Sequence, residues 1–234
     1  MIGFEQAKSI FVENSLDYSS ELHEKLKIYC NFLIEYNKNV NLTTITDPNK
    51  IWLKHFVDSI LLIKKVNIPE NAEMIDIGTG AGFPAIPMKL YRKDIKLTML
   101  DSLNKRIVFL EKLCKLLEIN AESIHGRAED FGKKDAFREK FDIVTARAVA
   151  AMPVLSEYCM PFVKKGGVFA AMKGPNEDSK DAEKAIKILG GDTIQKYEYT
   201  LGTEEKRQIF CVKKVSHTPT RYPRNSSHIK NKPL

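Results

Sequence analysis

The stretch Met74-Ile-Asp-Ile-Gly-Thr-Gly-Ala-Gly-Phe-Pro constrains this chain more than any other. A short apolar run enters three glycines at alternate positions, Gly78, Gly80 and Gly82, and leaves through Phe83-Pro84. Glycine tolerates φ > 0 and lets a ligand approach the backbone, because no Cβ stands in the way. A strand, a glycine turn and a helix in that order form the unit by which an α/β protein presents a ligand at the carboxyl edge of its sheet. The same pattern also serves as a tight turn and nothing more, so the rest of the chain has to decide between the two.

The pattern around the turn is that of an alternating fold. Met74 to Ile77, Lys96 to Leu100, Glu122 to His125, Phe141 to Thr145 and Val168 to Met172 read as strands, with amphipathic segments between them. Five strands joined by helices require right-handed crossovers and a doubly wound, mostly parallel sheet. Two further runs, Thr193 to Tyr199 and Gln208 to Lys213, flank Leu201-Gly-Thr-Glu-Glu and read as a closing antiparallel hairpin. Ahead of the sheet, Leu22, Leu26, Tyr29, Leu33 and Tyr36 recur at helical spacing. A second helix starts at Asp47 as N-cap with Pro48 at its first position, and Trp52, Phe56, Ile60 and Ile63 form its buried stripe. The expected division is a helical extension over residues 1–68, an α/β core over 69–215 and a tail over 216–234 without regular structure of its own.

Spacing separates two classes of cofactor. In GxGxxG the third glycine would fall where Phe83 stands, and Pro84 and Pro87 remove two N–H groups that a pyrophosphate would use. A cofactor without phosphates fits better, and S-adenosylmethionine is one. Asp76, just before the turn, suits its ammonium or a water beside it. Asp101 follows the next strand 23 residues beyond Gly78, near the offset of about 20 residues at which a carboxylate reaches a ribose. Asp101-Ser102 equally reads as a helix N-cap. After the third strand, Ala128 and Glu129 stand where an adenine ring would rest.

The formal net charge of +7 is unevenly placed. Beyond Glu205 there is no acid and there are eight cations, Lys206, Arg207, Lys213, Lys214, Arg221, Arg224, Lys230 and Lys232, which leaves −1 for the rest. Such a block fits a polyanion or serves as a solubilising tail. Arg221, Arg224, Lys230 and Lys232 are the candidate polyanion contacts, RNA contacts if that polyanion is an RNA, and as such they would bear on its affinity without touching the cofactor. The four cysteines lie far apart with no CxxC pair, which argues against a disulfide framework or a cysteine zinc site, and no metal is expected. Without a basic segment before an apolar stretch, or a run of about 18 apolar residues, the expectation is a soluble, cytoplasmic, monomeric protein away from membranes.

The residues after the fourth strand narrow the acceptor. The Asn/Asp-Pro-Pro-Tyr box of amino methyltransferases would stand where Thr145-Ala-Arg-Ala-Val-Ala does, and no cysteine nucleophile lies there. An acceptor with its own lone pair, such as a purine N7, needs neither a base nor a covalent intermediate, and near-attack geometry supplies most of the acceleration. Arg147 and Lys173, at the ends of the fourth and fifth strands, are the candidates to position it by gripping a phosphate or a guanine edge. Both also read as ordinary strand ends. His55 and Asp58 either approach the acceptor or tie the helical extension to the sheet.

Asn41-Leu-Thr, His55-Phe-Val-Asp-Ser, Asp76-Ile-Gly-Thr-Gly-Ala-Gly-Phe-Pro, Gly126-Arg-Ala-Glu, Arg147-Ala-Val-Ala, Tyr222-Pro-Arg and Lys232-Pro-Leu together resemble the RsmG family, formerly glucose-inhibited division protein B. The resemblance covers essentially the whole chain. It implies the class I S-adenosylmethionine-dependent methyltransferase fold, Rossmann-like with a seven-stranded sheet, and methylation of a guanine N7 in 16S rRNA, free or within a small-subunit precursor. By position it carries cofactor contacts onto Gly78, Phe83, Ala128, Glu129 and Arg147. Two positions depart from the family pattern: Ala85 replaces a usual glycine, and Asn225-Ser-Ser-His-Ile-Lys-Asn replaces a segment with a glycine and a proline. The competing readings are a methyltransferase for a small molecule or protein, and an RNA-binding module with an inactive cofactor site.

Overall fold

The computed structural model describes every residue except Met1, Ala148, Thr203 and Glu204. The first elements are two helices, α1 (Phe4–Glu13) and α2 (Ser20–Asn37). The Ser19 hydroxyl starts α2 by accepting the Leu22 N–H at 3.1 Å. Only Ala7 and Phe11 of α1 are buried, too sparse a stripe for periodicity to reveal that helix. Asp47 caps the next helix as expected, accepting the Lys50 N–H at 2.9 Å, with Pro48 in the first turn. From α3 (Pro48–Ile51) the chain widens into a π-helical turn over Trp52–Val57 and narrows again into α4 (Asp58–Lys65). Such turns are frequent at functional sites. Trp52, Phe56 and Ile60 are buried, and Ile63 packs against them partly covered.

The alternating body then runs β1 (Glu73–Ile77), α5 (Ala85–Tyr91), β2 (Lys96–Asp101), α6 (Asn104–Leu116), β3 (Ala121–His125), α7 (Ala128–Phe131), β4 (Phe141–Arg147), α8 (Met152–Cys159), β5 (Val163–Lys173), α9 (Glu183–Ile188), β6 (Gly191–Leu201) and β7 (Glu205–Lys214). The sheet order is β3-β2-β1-β4-β5-β7-β6. Neighbours from β3 to β5 are parallel, and β7 lies antiparallel between β5 and β6. The chain thus leaves β1 for β2 on one side and returns to β4 on the other. That reversal opens a crevice at the carboxyl end of β1.

Side chains alternate between two cores with the period of two that a strand imposes. Met74, Leu97, Met99, Ile143 and Ala170 face α2, α4, α5 and α6. Ile75, Leu100, Val144, Phe169 and Ala171 face α8 and α9. The N-terminal helices share the first core with the sheet instead of standing apart from it. All four cysteines are free and buried.

The segment after Ser216 departs from the expectation of an irregular tail. It ends in α10 (Ser226–Asn231), capped by the Asn225 carboxamide on the His228 N–H at 2.9 Å. Tyr222 and Ile229 are buried in the second core. Arg138 donates to the carbonyls of Thr218 and Tyr222 at 2.7 and 2.8 Å. Lys214 is fully buried, 3.3 Å from Glu139, and burial pushes its pKa down to about 8. Composition alone counted these cations as a free block, whereas Lys214 is committed inside the fold.

Candidate active site

The crevice is built from the glycine turn upward. Gly78, Gly80 and Gly82 take φ of +69°, +62° and +93°, conformations that L side chains rarely adopt. The turn is stitched to the end of β2. The Leu100 carbonyl accepts the N–H groups of Gly78 and Thr79 at 2.8 and 3.3 Å, and Asp101 Oδ2 accepts that of Gly80 at 2.9 Å. These three amides are already engaged, so the turn offers a diphosphate no nest of free donors. A Cβ at Gly78 would lie 2.8 Å from Val149 Cγ2, and one at Gly82 would lie 2.7 Å from Ile86 Cδ1 and 2.9 Å from the Tyr29 hydroxyl.

Two cavities share Gly78, Asp101, Ser102 and Val149 as their common wall. The larger, about 440 Å³, is lined by Gly80, Phe83, Arg147, His55 and the Leu42-Thr43 loop. The smaller, about 200 Å³, is lined by Gly126, Ala128, Glu129 and Tyr158. Together they form an elongated, two-lobed space within the size range of small-molecule sites. The observation that favours S-adenosylmethionine over a dinucleotide is the combination of engaged amides and missing β-carbons at the shared wall. Another cavity, about 680 Å³, lies away from the carboxyl ends of the strands. Its lysines are already bonded: Lys25 to Leu117 O and Glu118, Lys89 to Lys93 O and Ile95 O, and Lys93 to Glu21. We therefore place the site at the glycine turn.

Each expected site residue has a definite place. Gly78, Gly80, Phe83, Asp101 and Arg147 line the larger lobe, and Ala128 and Glu129 line the smaller. Gly82 lies behind the wall, against Ile86 and Tyr29. Asp76 lies beneath the turn, fully buried, and lines neither lobe. The parallel register sets Asp76 beside Thr145, whose hydroxyl donates to Oδ1 at 2.7 Å, while Oδ2 has no partner. Asp101 Oδ1 accepts the Leu103 N–H at 2.9 Å, and Arg106 reaches Oδ2 at 3.1 Å. The N-cap of α6 is Leu103, so Asp101 does not cap that helix. Arg106, which the sequence reading did not single out, lines the larger lobe beside Asp101.

Lys173 is buried. It donates to the Ala150 carbonyl and lies 3.4 Å from Glu177, and it lines neither lobe. Arg147 faces the larger lobe from a dense set of partners. Its guanidinium lies 4.9 Å from the Phe83 ring centroid and donates to the Lys54 carbonyl at 3.2 Å and to His55 Nδ1 at 3.1 Å. It is 3.5 Å from Asp58 Oδ2. His55 Nδ1 faces both the Arg147 guanidinium and the Lys54 carbonyl at 3.1 Å, so it accepts from the first in one neutral tautomer and donates to the second in the other, while Nε2 lies 3.0 Å from the Thr43 hydroxyl. Burial and the Arg147 charge push the His55 pKa down to about 3, so the ring is neutral and a poor base. Burial raises the Asp58 carboxyl and lowers the Arg147 guanidinium, each against the pull of the other's charge. Asp58 also accepts the Tyr199 hydroxyl at 2.7 Å and lies 3.8 Å from Arg207. His55 thus reaches the cavity, and Asp58 ties the helical extension to β4, β6 and β7.

Tyr29 also escaped the sequence reading. Its ring stacks on Phe83 at 5.2 Å and 10°, and its hydroxyl donates to the Ala81 carbonyl at 2.5 Å. Its position in the apolar stripe of α2 gave it no mark beyond that of a core residue. Of the four candidate RNA cations, Arg224 forks onto the buried Glu157 carboxylate at 2.6 to 3.1 Å. Arg221, Lys230 and Lys232 are exposed.

One prediction arises from Asp76. Burial raises its pKa to about 7, so folding favours the protonated form. Stability from this group is fully present below about pH 4 and is lost as pH rises through 7. Between pH 5 and 8 the loss is about 3 kcal/mol, since a tenfold change in proton affinity is worth about 1.4 kcal/mol. Asp76→Asn should flatten that decline, measured by urea unfolding at both pH values. Parallel pH curves for the two proteins would contradict it.

The chain is similar to known proteins over most of its length. The family model for rRNA small subunit methyltransferase G (GidB) matches residues 22–210. The ribosomal RNA small subunit methyltransferase G of Lactobacillus helveticus is 51% identical over 217 residues, covering 90% of both chains. That of Lactobacillus acidophilus is 44% identical over 228 residues, covering 95% of both. The SAM-dependent O-methyltransferase of Thermotoga maritima superposes with a TM-score of 0.55 at 16% identity, covering 79% of this chain and 72% of that one, which supports the class I methyltransferase fold. A match of this length to the family model, joined by relatives of this identity across nearly the whole chain, means that this chain belongs to the rRNA small subunit methyltransferase G family.

Proposed function

We propose that this protein transfers the methyl group of S-adenosylmethionine to N7 of a guanine in 16S rRNA. The observation that carries the reading is the two-lobed crevice at the sheet's reversal point, in a chain whose relatives are named ribosomal RNA small subunit methyltransferase G. The N7 lone pair attacks the methyl carbon in line with the S–CH₃ bond. That bond breaks, its electrons return to sulfur, S-adenosylhomocysteine leaves, and the purine carries the positive charge. No proton moves, which agrees with a neutral His55 that is a poor base.

The cofactor-binding set is Gly78, Gly80, Phe83, Asp101, Ala128, Glu129 and Arg147, with Gly82 and Asp76 shaping the wall from behind. Arg147 also stands closest to the acceptor side. The helical extension over 1–68 covers the methionine end through Leu42, Thr43 and His55. Residues 69–215 hold the cofactor, and 216–234 carry exposed Arg221, Lys230 and Lys232 toward the RNA backbone. Among the described residues no helix is long and apolar enough to cross a membrane. We place the enzyme in the cytoplasm as a monomer, where small-subunit precursors assemble.

Tritiated methyl transfer tests this reading, with naked 16S rRNA, small-subunit particles, total protein and metabolites as acceptors, followed by nucleoside analysis. The expected product is 7-methylguanosine in 16S rRNA. Label confined to protein or metabolites would replace the RNA reading with the competing one.

A further inference from the structure

The smaller lobe of the crevice is not closed by the sheet's own loops alone. Its remaining wall comes from far along the chain, from Ser226 and Lys230 of α10, with Tyr158 of α8 between them and the adenine end. The Tyr158 hydroxyl and Ser226 Oγ lie 3.0 Å apart. Ser226 and Lys230 are four residues apart, so they share one face of α10. On another face Ile229 is fully buried in the second core.

The segment that carries α10 is fixed at several independent points. Arg224 forks onto the buried Glu157 carboxylate, which belongs to α8 next to Tyr158. Arg138 holds the carbonyls of Thr218 and Tyr222, and the Thr218 hydroxyl donates to the Leu189 carbonyl at 2.7 Å. A solubilising tail or a purely RNA-facing arm would need none of this. The anchoring instead holds two polar side chains at a cavity that the strand ends leave open.

We propose that α10 is part of the cofactor site, with Lys230, Ser226 and Tyr158 binding the adenosine end of S-adenosylmethionine. The ammonium of Lys230 supplies a donor for a ring nitrogen or ribose oxygen, and the Tyr158–Ser226 hydroxyl pair supplies both a donor and an acceptor. Glu129, on the facing wall, can only accept while ionised. The lobe therefore offers both hydrogen-bonding senses, which a purine nucleoside requires. Lys230 is thereby moved from the RNA-only role that the charge pattern assigned to it. The inference rests on the assignment of the crevice to S-adenosylmethionine.

The test uses the full chain and titration calorimetry with two probes, S-adenosylhomocysteine and adenosine alone. Lys230→Ala changes an exposed side chain and should leave thermal unfolding unchanged. Ser226→Ala is the second variant. Both should weaken the two probes by the same factor, about 5- to 10-fold for Lys230→Ala, the loss typical of one charged hydrogen bond that water partly replaces. Lys230→Arg should recover part of it. Affinities within twofold of the parent protein in both variants would overturn the proposal. So would a loss confined to S-adenosylhomocysteine with adenosine unaffected, because that would place the contact outside the adenosine lobe. A parent protein that binds neither probe at millimolar concentration would defeat the cofactor assignment itself, a result separate from these.

Discussion

Gly78→Val should abolish S-adenosylhomocysteine binding and methyl transfer while leaving a folded protein. The backbone at Gly78 sits at φ +69°, where a β-branched residue is a strong outlier costing about 1–2 kcal/mol or more. Its Cβ would also lie 2.8 Å from Val149 Cγ2, and both residues belong to the wall shared by the two lobes. Whatever moves to relieve the contact moves within the cofactor space. Affinity should fall about 100-fold or more, since ligand and side chain compete for one volume. At Gly80 the nearest atom to an added Cβ is 3.9 Å away, so Gly80→Ala meets backbone strain but no clash. Its loss of affinity should be clearly smaller. Calorimetry on both variants, with unfolding curves as a check, decides this, and equal losses would contradict the role given to the shared wall.

The second large effect belongs to Arg147→Ala. The substitution removes the cation over Phe83, the donors to Lys54 O and His55 Nδ1, and the charge nearest Asp58 Oδ2. Asp58 is only 3% exposed and keeps the Tyr199 hydroxyl and a distant Arg207. Taking one member from a buried ion pair typically costs about 3–5 kcal/mol, because the other charge is left without compensation. Methyl transfer should fall at least about 100-fold, as positioning is most of what the site contributes. Arg147→Lys restores charge without the fork and should recover stability only in part. Adding Asp58→Asn to Arg147→Ala should return stability relative to the single variant, the sign of direct coupling. A cost below about 1 kcal/mol for Arg147→Ala would show that the Arg147–Asp58 link does not hold the helical extension to the sheet.

Local signals in the sequence carried most of the architecture. The strands, the glycine turn and the Asp47–Pro48 helix start announce themselves through short apolar runs, glycine spacing and capping chemistry, all of which are set by neighbours in the chain. What stayed hidden depends on distant partners. Asp101 reads as a ribose carboxylate or a helix cap, and neither reading shows that the Gly80 amide and Arg106 engage it. Lys173 reads as a residue that could position the acceptor or as a plain strand end, yet it is buried on the Ala150 carbonyl. The C-terminal segment reads as irregular because its prolines and polar residues say nothing of Arg138, Glu157 or the core that receives Tyr222 and Ile229. Tyr29 looks like one apolar position among several, and only the fold sets its ring on Phe83. Residues whose role depends on a partner far along the chain have no periodic signature, and these are the ones that complete the site.

A crystal structure of the protein with S-adenosylhomocysteine tests the central claim most directly. The account predicts adenine in the lobe of Ala128, Glu129 and Tyr158, the ribose at Asp101, and the amino-acid chain passing Gly78 and Gly80 toward Phe83 and Arg147. The nucleoside bound outside this crevice, or a glycine turn that shifts so that its amides point at the ligand as a phosphate nest would, contradicts it.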